Sequence, residues 1–130
     1  MFNANRNRIL VVEDDYRNMT LLHDFLKAHG YEILKAFNGL EAINLAREEH
    51  PDLILMDIRL PGISGFDVTR LLKQDNQTNA IPIIAVTAFA TAGDETTALA
   101  SGCAAYITKP VNVDVLLRKI RSFLSASLPQ

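Results

Sequence analysis

The chain has 130 residues, a formal net charge of −2 and 48% hydrophobic residues. This length and composition predict one globular domain over residues 1–130, with a core at about 8–126. The near-neutral charge excludes a general electrostatic attraction to nucleic acid or to an anionic membrane surface. The sequence shows neither an apolar run of transmembrane length nor a signal peptide, so we expect a cytoplasmic protein.

Three short apolar runs predict strands that are buried on both faces of a parallel sheet. They are ILVV at 9–12, LILM at 53–56 and IIAV at 83–86, and polar residues do not alternate within them. YEILKAF at 31–37 and AAYIT at 104–108 are candidate strands nearer the sheet edges.

Helical patterns fill the intervals between these strands. Gly30 is placed to end the first helix, and Asn38 and Asn112 are the expected N-caps of the second and last helices. The apolar positions are Met19, Leu22, Phe25, Leu26 and His29 in the first helix; Ala42, Ile43 and Ala46 in the second; Val68, Leu71 and Leu72 in the third; and Val113, Leu116, Leu117, Ile120, Phe123 and Leu124 in the last. Residues 91–101 are the predicted fourth helix. The order of elements predicts an α/β fold with a doubly wound sheet and right-handed connections.

Polar residues follow the predicted strands at the sheet edge where doubly wound folds bind ligands. These residues are Glu13, Asp14 and Asp15 after the first strand, Asp57 after the third, Thr87 after the fourth and Lys109 after the fifth. Neighbouring carboxylates repel one another, and Mg²⁺ relieves such repulsion because it prefers oxygen ligands. The sequence therefore predicts a magnesium site, in which Mn²⁺ could substitute.

The same residues suit phosphoryl transfer to a carboxylate. Asp57 is the best nucleophile candidate, because it ends the most hydrophobic strand, and it would form an aspartyl phosphate. Lys109 would pair with one phosphoryl oxygen, and the Thr87 hydroxyl could donate to another. Asp15 is expected to lie outside the metal ligands, where it could cap the first helix or contact a metal-bound water.

Four motifs, VVEDD, LILMDIRLPGISG, AVTAFA and AAYITKP, resemble the receiver domain of two-component response regulators, in order and over nearly the full chain. The resemblance implies a flavodoxin-like sheet of five strands in the order 2-1-3-4-5, with five helices. It also implies that Asp57 accepts a phosphoryl group from a histidine kinase or a histidine phosphotransfer protein.

The resemblance further implies roles for single residues. Glu13, Asp14, Asp57 and the main-chain carbonyl of Arg59 match the metal ligands of the family. Thr87, Ala88 and Lys109 match the groups that hold the phosphoryl group, and Thr87 and Tyr106 match the switch pair. Lys109–Pro110 matches a pair whose peptide bond is usually cis. Arg59 and Phe89 occupy positions that flank the path of the hydrolytic water, and we expect their bulk to slow dephosphorylation.

The residues of these motifs are similar to those of the single-domain, DivK-type cell-division regulators. The resemblance to the receiver family implies a downstream protein partner on the face formed by the fourth helix, the fifth strand and the fifth helix. We expect a monomer or a weak, phosphorylation-dependent dimer, without direct nucleic-acid binding or membrane insertion.

Two alternatives remain at this stage. A phosphohydrolase could also pass through an aspartyl phosphate, although such enzymes generally carry a second Asp where this chain has Arg59. A scaffold module could keep the receiver fold without its chemistry, although the intact set of Asp57, Thr87 and Lys109 argues against it.

Overall fold

The computed structural model describes residues 8–88 and 92–124. Strands and helices alternate through both ranges in the predicted order. The strands are β1 (Arg8–Val12), β2 (Glu32–Ala36), β3 (Leu53–Asp57), β4 (Ile83–Thr87) and β5 (Ala105–Thr108). The helices are α1 (Tyr16–Ala28), α2 (Gly39–Glu49), α3 (Gly65–Gln74), α4 (Ala92–Ser101) and α5 (Val113–Leu124).

All five strands form one parallel sheet in the order β2-β1-β3-β4-β5. This order confirms the predicted doubly wound topology. The chain moves outward from β1 to β2 and then returns to β3 on the other side of β1. The carboxyl ends of β1 and β3 therefore lie side by side at the point where the strand order reverses, which is where such sheets bind ligands.

The sheet separates two hydrophobic clusters, because side chains alternate between its faces. Leu10 and Val12 of β1 join the cluster that also contains buried residues of α2, α3 and α4. Ile9 and Val11 join the opposite cluster, which contains buried residues of α1 and α5. Both faces of the central strands are covered, which explains why their sequences are apolar throughout.

The residues predicted to end or cap helices lie at the ends of helices in the structure. Gly30 has a φ of +95° directly after α1, and the side chain of Asn38 accepts a hydrogen bond of 2.9 Å from the backbone N–H of Glu41. The side chain of Asn112 accepts hydrogen bonds from the N–H groups of Asp114 and Val115 at the start of α5.

Three predicted members of the apolar helix faces are exposed. Leu71 is 47% exposed because Val68 and Leu72 form the buried stripe of α3, and Leu71 lies beside that stripe. Val113 is 43% exposed because it begins α5 before that helix reaches the core. His29 caps the end of α1 outside the core, and its ring packs on Phe25.

Residue 91 of the predicted fourth helix, and residues 125 and 126 of the predicted core, lie outside the described residues. Within the described ranges, none of the helices combines the length and the apolar character needed to cross a membrane.

Candidate functional site

The acidic residues meet at the carboxyl edge of the sheet. Val12 of β1 pairs with Met56 of β3, so the next residues along these strands, Glu13 and Asp57, are neighbours. Both side chains are buried, with 2% and 4% of the residue exposed, whereas Asp14 is exposed. Carboxylate oxygens of Glu13, Asp14 and Asp57 all lie within 4.8 Å of one another. The predicted convergence of these three carboxylates is therefore present in the fold.

Lys109 bridges the two buried carboxylates. Its Nζ lies 3.0 Å from Oε1 of Glu13 and 3.3 Å from Oδ2 of Asp57. Its backbone N–H also donates a 2.7 Å hydrogen bond to the carbonyl of Thr87, which continues the pairing of β4 with β5. The Lys109–Pro110 bond is cis, as the resemblance implies.

The second oxygen of each buried carboxylate accepts a backbone hydrogen bond. The N–H of Arg59 donates to Oδ1 of Asp57 over 3.0 Å, and the N–H of Asp15 donates to Oε2 of Glu13 over 3.1 Å. Each carboxylate is thus held between the lysine and one main-chain donor. This arrangement fixes both groups in place without neutralising the exposed charge of Asp14.

The electrostatics of the site change two pKa values. Burial raises the pKa of Glu13 and the nearby Asp57 charge raises it further, against the opposing effects of the Asp15 N–H and Lys109. Burial alone would lower the pKa of Lys109, but the hydrogen bond that it donates to Glu13 and the charges of Asp57 and Glu13 raise it overall. The site therefore combines a lysine that stays charged with a carboxyl whose ionisation is opposed.

Thr87 and Ala88 lie at the carboxyl end of β4, and Tyr106 lies on the neighbouring strand β5, where it pairs with Ala85. Thr87 is 1% exposed at the end of β4, and Ala88 follows it at the surface. Tyr106 is half-buried on β5, and its pKa is raised by burial and then by Asp94 and Glu95. The tyrosine is therefore close to the first turn of α4, which carries both acids. Phe89 lies outside the described residues.

Asp15 caps α1, as predicted. Its Oδ1 accepts hydrogen bonds of 2.8 Å from the N–H of Arg17 and 3.0 Å from the N–H of Asn18. The described part of the chain contains a three-carboxylate group of Glu13, Asp14 and Asp57, and Asp15 is not a member of it.

An apolar groove that the sequence analysis missed runs along α1 beside the site. Its volume is about 710 Å³, and it is lined by Glu13, Asn18, Leu21, Leu22, Phe25, Ala88, Lys109, Pro110, Val111 and Val113. Leu21 is 65% exposed and is an apolar residue on the outer side of α1. Leu21 and Val113 were the available sequence signals. Leu21 lies off the predicted apolar face of α1, and periodicity alone does not separate Val113 from core positions.

The carboxylate group fits a hard divalent cation. Its oxygens are close enough to share one ion, and carboxylate oxygens are the ligands that Mg²⁺ prefers. The exposed position of Asp14 leaves room for water molecules, which bound Mg²⁺ usually retains.

A flavodoxin-like sheet with carboxylates and a lysine at its carboxyl edge defines the receiver class of signalling domain. The model of the response regulator receiver domain family matches residues 9–121, and the chain belongs to this family.

Known proteins refine this assignment. The chain is 52% identical over 116 residues to the polar-differentiation response regulator DivK of Brucella ovis, covering 89% of this chain and 94% of that protein. The receiver domain of a sensor histidine kinase from Pseudomonas aeruginosa, with a magnesium ion coordinated in its active-site cleft, matches with a TM-score of 0.85. That match has 34% identity and covers 92% of this chain and 98% of the other.

A third similar protein was solved as a complex. The co-crystal structure of a Saccharomyces cerevisiae histidine phosphotransfer signalling protein and the receiver domain of its downstream response regulator matches with a TM-score of 0.85 and 34% identity. The match covers 92% of this chain and 89% of that chain. The chain is thus a DivK-like receiver domain of a two-component system.

Proposed function

We propose that this protein is a response regulator receiver that accepts a phosphoryl group on Asp57 in a His-Asp phosphorelay. The observation that supports this role is the position of the Asp57 carboxylate, which contacts Lys109 and lies beside Glu13 and Asp14 at the sheet edge. Its own activity is limited to phosphoryl uptake and hydrolysis.

In the proposed reaction, an Asp57 carboxylate oxygen attacks the phosphorus of a phosphohistidine. The new phosphorus–oxygen bond forms as the phosphorus–nitrogen bond breaks, and the electron pair remains on the imidazole nitrogen of the donor. Lys109 is close enough to move its ammonium from the Asp57 oxygen to an oxygen of the transferred group. The Thr87 hydroxyl and the Ala88 N–H are proposed donors to the remaining oxygens.

Glu13, Asp14, Asp57 and the main-chain carbonyl of Arg59 are the proposed ligands of Mg²⁺, and Mn²⁺ is a proposed substitute. The bound cation supplies charge neutralisation for the carboxylates and for the phosphoryl oxygens. The similar Pseudomonas aeruginosa domain with a coordinated magnesium ion supports this assignment.

The apolar groove beside α1 is the proposed binding site of the histidine phosphotransfer protein. Lys109 and Glu13 lie at one end of the groove, so a partner that packs on Leu21 and Phe25 is adjacent to Asp57. The similar receiver domain that was solved with a phosphotransfer protein supports a partner of this type.

The proposed output is a change in protein binding through Thr87 and Tyr106. Thr87 ends β4 next to the strand of Asp57, and Tyr106 lies on β5. These positions support the two residues as the proposed link between the site and the face of α4, β5 and α5. A pull-down that compares phosphorylated with unphosphorylated protein tests this output. Thr87→Ala should abolish the difference between the two states, whereas Thr87→Ser should retain it.

The acceptor is tested by incubation with Mg²⁺ and acetyl phosphate. Mass spectrometry should show one added acid-labile phosphoryl group, which EDTA prevents and the Asp57→Asn variant does not acquire. Equal labelling of Asp57→Asn would overturn the assignment of the acceptor. Rapid multiple turnover of a phosphomonoester would favour a phosphohydrolase, and a chain with neither labelling nor Mg²⁺ affinity would favour a scaffold.

A further inference from the structure

Gly39, the first residue of α2, packs against the loop that leads from Asp57 to α3. A Cβ atom at Gly39 would overlap Cγ2 of Ile63 in that loop and would lie 2.7 Å from Cγ2 of Val68 in α3. A side chain at position 39 therefore requires a shift of Ile63, of Val68 or of the segments that carry them. Its effect on the loop depends on which of the two packed parts can move.

The helix side of this contact is held in place. Asn38 caps α2 through its side chain, and the Glu41 carboxylate accepts a 2.7 Å hydrogen bond from the N–H of Phe37. Further along α2, Ala42 and Ala46 are fully buried against the sheet. A side chain at Gly39 would consequently displace the loop more readily than the helix.

Both ends of the loop are also fixed. The N–H of Ile58 donates to the carbonyl of Val86, and the N–H groups of Leu60 and Gly65 donate to the carbonyl of Ile58. Gly65 is packed so tightly that a Cβ there would lie 2.8 Å from Cα of Ile58 and would overlap the Asp57 carbonyl. A main-chain displacement at Ile63 would therefore act on residues 59–64, where the Leu60 hydrogen bond holds the peptide plane that carries the Arg59 carbonyl.

Arg59 begins this segment and contacts the site directly. Its N–H donates to Oδ1 of Asp57, and its carbonyl belongs to the proposed metal ligands. We propose that Gly39 is a positioning residue for the cation site, acting through Ile63 on the main chain at Arg59. This inference rests on the proposed function, because it requires that the site binds Mg²⁺.

The test measures Mg²⁺ binding by isothermal titration calorimetry in the full chain, alongside urea unfolding. Gly39→Ala should raise the Kd for Mg²⁺ roughly tenfold, as expected when a group that orients metal ligands is disturbed. Ala46→Val is the matched control, since it overpacks the same helix away from the loop. It should lose stability while its Kd stays within about twofold of the wild-type value.

The route through Ile63 is tested by a double variant. If Gly39 acts through this side chain, Gly39→Ala should have no further effect on the Kd in an Ile63→Ala background. That comparison remains decisive if Gly39→Ala alone does not fold. Where the wild-type protein binds Mg²⁺, two results would overturn the inference. One is a Kd for Gly39→Ala equal to that of Ala46→Val, and the other is additive effects on the Kd in the double variant. A wild-type protein without Mg²⁺ affinity would instead overturn the proposed function, and the inference with it.

Discussion

Lys109 contacts Asp57 from two strands away: Nζ on the loop after β5 lies 3.3 Å from Oδ2 at the end of β3, across the end of β4. The same ammonium lies 3.0 Å from Glu13 at the end of β1. One cation therefore joins the ends of three parallel strands.

Lys109→Met should slow phosphorylation by acetyl phosphate roughly a hundredfold, because a fixed charge near the transferred oxygens is lost. The initial rate of mass increase with saturating Mg²⁺ measures this effect. Lys35→Met is the matched control, since Lys35 is an exposed lysine on β2. Equal rates for the two variants would show that Lys109 has no part in the transfer.

The stability of the protein without metal should depend on the ionisation of Glu13. Its pKa is raised above the ordinary value of 4.5, so the folded state binds the proton more tightly than the unfolded state. This contribution to stability is fully present below about pH 4.5 and is lost as the pH rises through the folded-state pKa. In EDTA, the free energy of unfolding of the wild type minus that of Glu13→Gln should therefore decrease as the pH rises through that window. Above the window this difference should stay constant.

Urea unfolding at a series of pH values measures this difference. Mg²⁺ should stabilise the wild-type protein above this window more than it stabilises Glu13→Gln, since it binds the folded state. A wild-type free energy that instead increases relative to Glu13→Gln over the window would contradict the buried position of this carboxylate.

Asp15→Ala should destabilise the protein by about 1 kcal/mol, because two N–H groups at the start of α1 lose their acceptor. Asp15→Asn should retain most of the stability, since an amide oxygen also caps helices. Urea unfolding measures both effects. Calorimetry should find nearly wild-type Mg²⁺ affinity in Asp15→Asn, and a loss as large as that in Asp14→Asn would place Asp15 among the ligands.

Leu21→Ala should slow phosphoryl transfer from a cognate histidine phosphotransfer protein about tenfold, as for a contact at the centre of an interface. It should leave the rate with acetyl phosphate unchanged, because the small donor does not need the groove. Leu40→Ala is the matched control, with Leu40 67% exposed on α2 and Leu21 65% exposed on α1. Equal slowing of both variants would remove the groove as the docking site.

Arg59→Ala and Phe89→Ala should shorten the half-life of the phosphorylated protein. The prediction follows from the family positions of these residues beside the path of the hydrolytic water, and Arg59 is exposed next to Asp57. Loss of the acid-labile phosphoryl group, followed by mass spectrometry, measures the half-life. Arg121→Ala, an exposed arginine on α5, is the control. An unchanged half-life in both variants would contradict the prediction.

Sequence reasoning was most successful where a local pattern determines the structure. Apolar runs without alternation predict buried parallel strands, and parallel strands bring their carboxyl ends to one edge. The convergence of Glu13, Asp14 and Asp57 follows from those two rules. Asn38, Asn112 and Asp15 also cap helices through contacts within a few residues of themselves.

Contacts between distant segments were not predictable in the same way. Gly39 and Ile63 touch only because α2 and the loop after β3 lie on the same face of the sheet. The groove beside α1 depends on where the loop after β5 lies relative to Leu21. Periodicity predicts Val113 on the apolar face of α5, and it is exposed because periodicity gives a direction around the helix axis but not the point at which the core ends.

The central claim, that Asp57 carries the phosphoryl group, is tested most directly by mapping the acceptor. Borohydride reduces an aspartyl phosphate to homoserine with loss of phosphate, which marks the acceptor for tandem mass spectrometry. After treatment with Mg²⁺ and acetyl phosphate, homoserine should be found at position 57, and it should be absent when Mg²⁺ is omitted. Homoserine at Asp14 or Asp52, with Asp57 unmodified, would contradict the account.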